Sequence, residues 1–195
     1  MSESGTYTIE QFVGDMKKVF ASTKDPRAQA GAIAKHMEAL LVSPSLPDEI
    51  QQRAAGRTGR IDLYVDQEHG HPGPGFCLMT SIPDPNAQGD SRERYPHDHG
   101  ASFVVYGVFK GAAQQVKFRW TCPDNGDRKT PELKEYDRFT QNTGQAAFFL
   151  PGEIHMTGPA GDGPSRIIRL EAQKLDRVLR HSYKSKGAFV ALVET

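Results

Sequence analysis

In residues 1–58, hydrophobic positions recur at steps of three and four, which is the spacing of one helical face. Thr8 can cap a first helix, and Asp25-Pro26 is typical of the start of a second. Pro47-Asp48-Glu49 indicates the opening of a short third helix. The apolar positions of the first helix are Ile9, Phe12, Val13, Met16, Val19 and Phe20. We therefore expect residues 1–58 to form a helical segment.

After Gly59 the pattern changes to short runs of β-branched and aromatic residues, separated by Gly, Pro, Asn and Asp. No helical spacing intervenes, so the pattern predicts an antiparallel sandwich or barrel over residues 59–172. The predicted strands are 60–66, 75–82, 101–110, 115–121, 136–140, 144–150 and 165–171.

The C-terminal extension, residues 173–195, has a different pattern. Residues 175–186 are basic and carry a short helical pattern at Leu175, Val178 and Leu179. The apolar stretch 188–193 fits either a tail strand or a packed terminus. A chain of 195 residues is long enough for one full hydrophobic core, so we expect a single domain with N-terminal helices.

Charge and composition restrict the classes of partner. The chain has 24 Lys plus Arg and 24 Asp plus Glu, so its formal net charge is zero. This balance favours a small-molecule ligand over nucleic acid or a membrane surface. No long apolar run or signal peptide is visible, so a cytoplasmic location is expected. Cys77 and Cys122 form no disulfide framework and are expected to be buried thiols.

Three of the seven histidines have the arrangement of a metal site. His97 and His99 lead into a predicted strand, where residues two apart share a face. His155 follows another predicted strand that ends in Pro151-Gly152, and it can turn back into the barrel. Three neutral nitrogen donors with open positions suit Fe(II), Ni(II), Cu(II) or Zn(II).

The other histidines have simpler interpretations. His69 and His71 lie in a Gly/Pro-rich loop, which predicts a solvated connection between strands. His181 lies in the basic tail and receives the same interpretation. His36 falls on or beside the apolar face of the second helix, where a packed histidine is expected.

The histidine stretches resemble the two metal-binding motifs of the cupin superfamily. The first motif has H-x-H and a closing glycine, matched by Gly111, and the second is matched by residues 152–155 with its proline shifted to Pro151. The usual glutamate ligand is replaced by Phe103 or Val104. The resemblance implies a cupin double-stranded β-helix, or jelly-roll barrel, with a three-histidine site and no protein carboxylate ligand.

Within the cupins, the chain is similar to the cysteine dioxygenase type of thiol dioxygenase, over residues 8–171. Similar stretches are 60–67 (RIDLYVDQ), 75–79 (GFCLM), 96–99 (PHDH) and 117–120 (KFRW). The resemblance implies Fe(II) at the histidines, although Ni, Zn, Cu or Mn are possible in purified protein. It also implies O2 and a small thiol-bearing or anionic substrate.

The chain also departs from that family. The family's cysteine–tyrosine cross-link is impossible, because Val104 and Glu171 stand at those positions. Its Ser-His-Tyr relay is matched by Ile167, Arg169 and Glu171, which alternate along one strand. Arg169 and Glu171 can form an ion pair inside the barrel, with Glu171 as a pairing or acid/base group, or they can lie on the outer face.

The resemblance also indicates residues that contact the substrate. Arg60 is offset by two residues from the family's carboxylate-binding arginine but keeps its strand face, so it can bind an anionic group or lie on the surface. Val104 is expected to line the substrate site. Tyr106 shares a strand face with Val104 and is expected beside the metal.

These observations favour a mononuclear non-haem Fe(II) dioxygenase. Three alternatives remain at the level of sequence: a non-oxidative metal-dependent isomerase or lyase, a metal-dependent binding module without catalysis, and a β-sandwich whose histidines never meet. The sequence sets neither the substrate nor the oligomeric state.

Overall fold

The helical segment has the three helices that the sequence predicts. The computed structural model describes residues 6–82, 95–121, 132–160, 165–185 and 189–194. The helices are α1 (Ile9–Ser22), α2 (Pro26–Leu41) and α3 (Leu46–Ala54). Thr8 and Gln11 form a reciprocal capping box at α1, and the Asp25 carboxylate accepts two backbone N–H groups at the start of α2. Both predicted N-caps are confirmed.

The described residues then form ten strands. They are β1 (Gly59–Val65), β2 (Cys77–Ile82), β3 (Val104–Lys110), β4 (Ala112–Thr121), β5 (Glu132–Asn142), β6 (Ala146–Phe149), β7 (Ile154–Pro159), β8 (Arg166–Glu171), β9 (Arg180–Ser185) and β10 (Phe189–Glu194).

The strands form antiparallel sheets. One sheet has five strands in the order β1-β2-β8-β3-β6, another has the order β5-β4-β7, and β9 and β10 form a hairpin. A short extended segment at His97 bridges β7 on one side and β9 on the other. Because of this bridge, the hairpin continues the three-stranded sheet and contributes to the wall around the histidines.

The helices cover the outer face of the five-stranded sheet and share its core. Residues of all three helices pack in one buried cluster with Leu78, Val105, Ile168 and Leu170 of the sheet. At Gly107 an added Cβ would lie 2.8 Å from Cγ of Met37 on α2, so a larger residue would force the side chains of α2 to shift. The predicted mainly β fold with an N-terminal helical region is confirmed. In the described residues, no helix is both long and apolar enough to span a membrane.

Several elements differ from the prediction. His155 lies within β7, a strand that the sequence did not indicate because Gly and Pro interrupt its apolar pattern. The helical pattern of the extension is limited to a 3-10 turn, Leu175–Arg177, and the chain then enters β9. The apolar stretch 188–193 belongs largely to β10, in agreement with the tail-strand alternative.

Cys77 is buried as expected, and burial raises the pKa of its thiol to about 12. Cys122 lies outside the described residues.

Candidate metal centre

His97, His99 and His155 converge at one point inside the barrel. Each histidine offers one ring nitrogen as a ligand atom, and these three nitrogens all lie within 4.8 Å of one another. All three side chains are buried. The fallback in which the histidines never meet is therefore excluded, and the arrangement can hold a metal ion.

Backbone pairing positions two of these histidines directly. His97 and His155 exchange two N–H···O=C hydrogen bonds of 2.9 Å, so their side chains project from directly opposed positions. The following Gly100 turns the chain with φ +57° and accepts a 2.9 Å hydrogen bond from the Gly152 N–H. The two loops that carry the ligands are thus joined to each other.

Carbonyl groups orient two of the imidazole rings. Nδ1 of His97 lies 2.9 Å from the Tyr95 carbonyl oxygen, and Nδ1 of His155 lies 3.3 Å from the Glu153 carbonyl oxygen. Because a carbonyl oxygen only accepts, each Nδ1 carries the proton and each Nε2 keeps its lone pair. Nε2 of His155 lies 3.2 Å from Nε2 of His99. This concentration of nitrogen donors fits a metal cation.

Burial favours the neutral form of two of the three histidines. Burial lowers the pKa of His99 and of His155 well below the usual 6.5, and the neighbouring histidines and Arg169 lower it further. Imidazole must be deprotonated to bind a metal. At neutral pH both residues are therefore in the form that coordinates.

Aromatic and aliphatic side chains surround the cluster. The Phe149 ring stacks on His155 with centroids 3.7 Å apart and planes inclined by 9°. Tyr106 meets His155 edge to face at 5.8 Å and Phe149 at 5.7 Å. Val104, Tyr106 and Phe149 form one buried cluster. These residues exclude water from one side of the candidate metal centre.

A buried cationic group adjoins this aromatic wall. The guanidinium of Arg169 lies 5.6 Å from the Tyr106 ring centroid, and Nη1 donates to the Tyr106 hydroxyl at 3.4 Å. Nη2 donates to Oε1 of Glu171 at 2.7 Å and contacts Sδ of Met79 at 3.1 Å. His155 therefore contacts Tyr106, and Tyr106 contacts the buried guanidinium of Arg169.

Glu171 links two arginines. Its side chain has no exposed surface, and Oε2 accepts from Nη2 of Arg60 at 3.0 Å and from the Leu175 N–H at 3.1 Å. Arg60 is 41% exposed and also donates to Asp62 at 3.2 Å. Glu171 therefore lies between two guanidinium groups, and Asp62 balances part of the charge of Arg60.

The structure brings most of the sequence-predicted site residues together. Tyr106 is the cross-strand partner of Arg169, and Val104 is the partner of Glu171, so these four residues form two adjacent rows inside the barrel. Ile167 packs against the same inner cluster as Tyr106. Arg60 lies farther away, because its hydrogen bonds are to Asp62 and Glu171 and it reaches the histidines only through Glu171 and Arg169.

The sequence interpretation missed a buried network at Asp98, the residue between the first two histidines. Its Oδ1 accepts from the N–H groups of Gly100 (2.9 Å) and His181 (3.1 Å). Its Oδ2 lies 3.0 Å from Nδ1 of His181 and accepts from the Tyr183 hydroxyl at 3.0 Å. Burial, together with the Asp98 charge, raises the pKa of Tyr183. The alternation His181-Ser-Tyr183 was the available signal. His181 is bound to Asp98, although 37% of its side chain is exposed, so it is solvated only in part.

The remaining histidines lie away from the cluster. His69 hydrogen bonds to Asp66 at 3.1 Å, and the His71 ring lies 5.7 Å from the Phe103 ring. The Gly/Pro-rich loop is thus attached to the barrel instead of being only solvated. His36 is 39% exposed and lies 3.1 Å from the Tyr7 hydroxyl, so it is packed only in part.

Comparison with known proteins gives only distant similarity. No family model and no curated protein matches the chain. Similar solved structures include an oxalate decarboxylase of Bacillus subtilis, with 18% identity and a TM-score of 0.34 over 55% of this chain and 23% of that one. An oxalate oxidase matches with 16% identity and a TM-score of 0.33, over 51% and 41%. A vicilin of Solanum melongena matches with 16% identity and a TM-score of 0.37, over 57% and 26%.

These solved structures are cupin-fold proteins. The matched part covers less than half of their length, and the identities and scores are too low to transfer an activity, a metal or a substrate to this chain. The resemblance to cysteine dioxygenases stays a prediction from sequence.

Proposed function

We propose that this protein is a mononuclear non-haem Fe(II) dioxygenase that uses O2 to oxidise a small thiol-bearing or related anionic substrate. The observation that supports this proposal is the convergence of three buried histidines beside a buried arginine. Among the described residues, the candidate ligand set contains no carboxylate. Such a site keeps the full charge of a divalent metal and favours an anionic substrate.

Three nitrogen donors leave coordination positions for substrate and O2. His97, His99 and His155 would hold the ion, and their carbonyl partners would fix two of the rings. An Fe(II) ion bound there supplies the one-electron chemistry that lets O2 react with an organic substrate, and its charge favours a thiolate over a thiol. Ni, Zn, Cu or Mn could occupy the same donors in purified protein.

Arg169 is the residue best placed to bind the anionic end of the substrate. Its guanidinium lies on the inner face, against Tyr106, which contacts His155. Glu171 fixes its orientation through a 2.7 Å hydrogen bond, and Arg60 offsets the negative charge of Glu171 from the other side. A carboxylate on the substrate would pair with Arg169 in a site of low dielectric, where the attraction is strong.

Tyr106 and Phe149 have a second role at this site. Both are buried, and Tyr106 contacts both Arg169 and His155. They exclude water from the reacting groups, and the Tyr106 hydroxyl accepts a 3.4 Å hydrogen bond from Arg169, which helps to hold the guanidinium beside the histidines.

Metal analysis and oxygen uptake test the proposal. Freshly purified protein should contain about one metal ion per chain, and His97→Ala, His99→Ala and His155→Ala should each lose it. His36→Ala is the matched control, because this partly exposed histidine lies outside the cluster. Full metal content in the three cluster variants would contradict the assigned site.

Oxygen uptake by iron-reconstituted protein should depend on the substrate carboxylate. Cysteine and 3-mercaptopropionate should be oxidised faster than cysteamine, which lacks the carboxylate. Arg169→Met should lower kcat/KM for the two acids by about tenfold or more and leave cysteamine unchanged. Consumption of substrate without O2 uptake would instead favour the isomerase or lyase alternative, and binding without turnover would favour a binding module.

A further inference from the structure

Arg166 lies on the opposite face of β8 from the residues of the candidate metal centre. It alternates with Ile168 and Leu170, which belong to the core between the helices and the five-stranded sheet. Arg169 and Glu171 project to the inner face. Arg166 is also at the end of β8 where β3 finishes, whereas the loop of His97 and His99 precedes the start of β3. The five-stranded sheet thus separates Arg166 from the candidate metal centre.

Arg166 lines a cavity of about 390 Å³ between α3 and the ends of β2 and β3. Ile50, Ala54, Ile82 and Phe109 form apolar parts of its wall. Arg57 contributes a second cation at its margin, where the Arg57 guanidinium also caps the carbonyls of Arg53 and Ala54. In the part of the chain that the structure describes, none of the lining residues is acidic.

One nitrogen of the half-buried Arg166 guanidinium lacks a hydrogen-bond partner. Its Nη1 is buried and has no hydrogen-bond acceptor, and no ion pair to Arg166 is present among the described residues. A buried charged donor without an acceptor is costly, and proteins generally pair such a group. An anion from solution would supply the acceptor.

We propose that this cavity binds a small organic carboxylate. The carboxylate would pair with Arg166, because a planar guanidinium matches two carboxylate oxygens. The hydrocarbon part would pack on Ile50 and Phe109, which an inorganic anion could not do. Arg57 adds positive charge at the entrance. This site is distinct from the proposed active site and does not depend on the metal.

Calorimetric titration of the full chain with hexanoate tests the proposal, with 1-hexanol as the uncharged probe of similar size. Hexanoate should bind saturably and raise the Tm, whereas hexanol should not. Arg166→Met should weaken hexanoate binding by about tenfold or more. Gln51→Glu, at an exposed position of the same cavity, should also weaken binding, because it places a negative charge beside the ligand without altering the core.

Arg119→Met is the matched control, since it removes an exposed arginine from β4, away from the cavity. This variant should bind hexanoate as wild type does. His155→Ala should also retain binding, which separates this site from the proposed active site. Unchanged affinity in Arg166→Met, equal affinity for hexanol, or no saturation up to about 10 mM hexanoate would each overturn the proposal.

Discussion

At the scale of single residues, Glu171 is a fully buried charge that depends on its two arginine partners. Its carboxylate is fully buried between the guanidinium groups of Arg169 and Arg60. The hydrogen bonds at 2.7 Å and 3.0 Å compensate for the desolvation of the three charges. Removing the carboxylate leaves two cations that repel each other, one of them buried.

We therefore expect Glu171→Ala to lower the free energy of unfolding by about 3 kcal/mol. The matched control is Glu135→Ala, which removes the carboxylate of an exposed pair with Arg138 and should have little effect. Chemical denaturation measures both. Equal small effects in the two variants would show that the buried charge group is not important for stability.

Asp66 gives a prediction for acid stability. Burial raises the pKa of its carboxyl, but hydrogen bonds from the N–H groups of His69 and Glu68 outweigh burial and hold the pKa well below the ordinary 3.8. The folded state therefore keeps the carboxylate at a pH where the unfolded chain is protonated.

The stability that Asp66 contributes should be complete above about pH 4 and decline as the pH falls toward the folded-state pKa. Asp66→Asn should reduce the slope of unfolding free energy against pH in this acid range. Denaturation of both proteins between pH 2 and 5 is the measurement. An equal slope of unfolding free energy against pH in wild type and Asp66→Asn would contradict the low pKa of Asp66.

At the scale of elements, the β9–β10 hairpin supports the loop that carries two of the metal-site histidines. Asp98 accepts four hydrogen bonds, three of them from His181 and Tyr183 of β9. At Gly100, an added Cβ would lie 1.8 Å from the Leu179 carbonyl oxygen, so the loop and the hairpin are in tight contact. The hairpin therefore fixes the position of His97 and His99.

Asp98→Asn should raise the metal dissociation constant by about tenfold, because groups that orient metal ligands typically contribute this much to affinity. Tyr183→Phe should have a smaller effect in the same direction, since it removes one of the four donors. The control is Asp137→Asn, at an exposed position of β5. Metal competition with a chelator measures the three constants, and unchanged affinity in Asp98→Asn would contradict a role for the hairpin.

The elements differ in how well the sequence predicted them. The helices were predictable because Thr8, Asp25 and Pro26 carry local capping signals. The register of β8 stayed open at the level of sequence, because alternation could place Arg169 on either face and the family resemblance did not decide between them. The pairing of Asp98 with β9 depends on contacts 83 and 85 residues apart in sequence, which no local pattern specifies.

At the scale of the whole molecule, the helical segment and the barrel share a core. Phe12 and Phe20 of α1, with Met37 of α2, belong to the same buried cluster as residues of the five-stranded sheet. The Phe20 ring stacks on Phe76 at 5.2 Å, beyond the N-terminal segment. If residues 1–58 unfolded separately from the barrel, the apolar surface of this shared core would be exposed to water.

We therefore expect thermal unfolding to be a single transition, as a single domain requires. Helix loss by far-UV circular dichroism and tertiary loss by near-UV circular dichroism should coincide. Met37→Ala should lower both midpoints together, with a cost of about 2–5 kcal/mol for a buried methionine. Lys35→Ala, at an exposed position of the same helix, is the control. Two separate transitions would contradict the single-domain prediction.

The bridge at His97 has a consequence for the folding kinetics. His99 and His155 are 56 residues apart, and Asp98 reaches Tyr183 across 85 residues. Contacts of such long range form late, because the entropy of closing the intervening chain must be overcome first. The same holds for the barrel itself, in which β2 pairs with β8 between Cys77 and Glu171, so we expect the metal site to form together with the sheets. The three histidines would then be together only once the barrel has formed, in contrast to small metal-binding domains whose folding requires the ion.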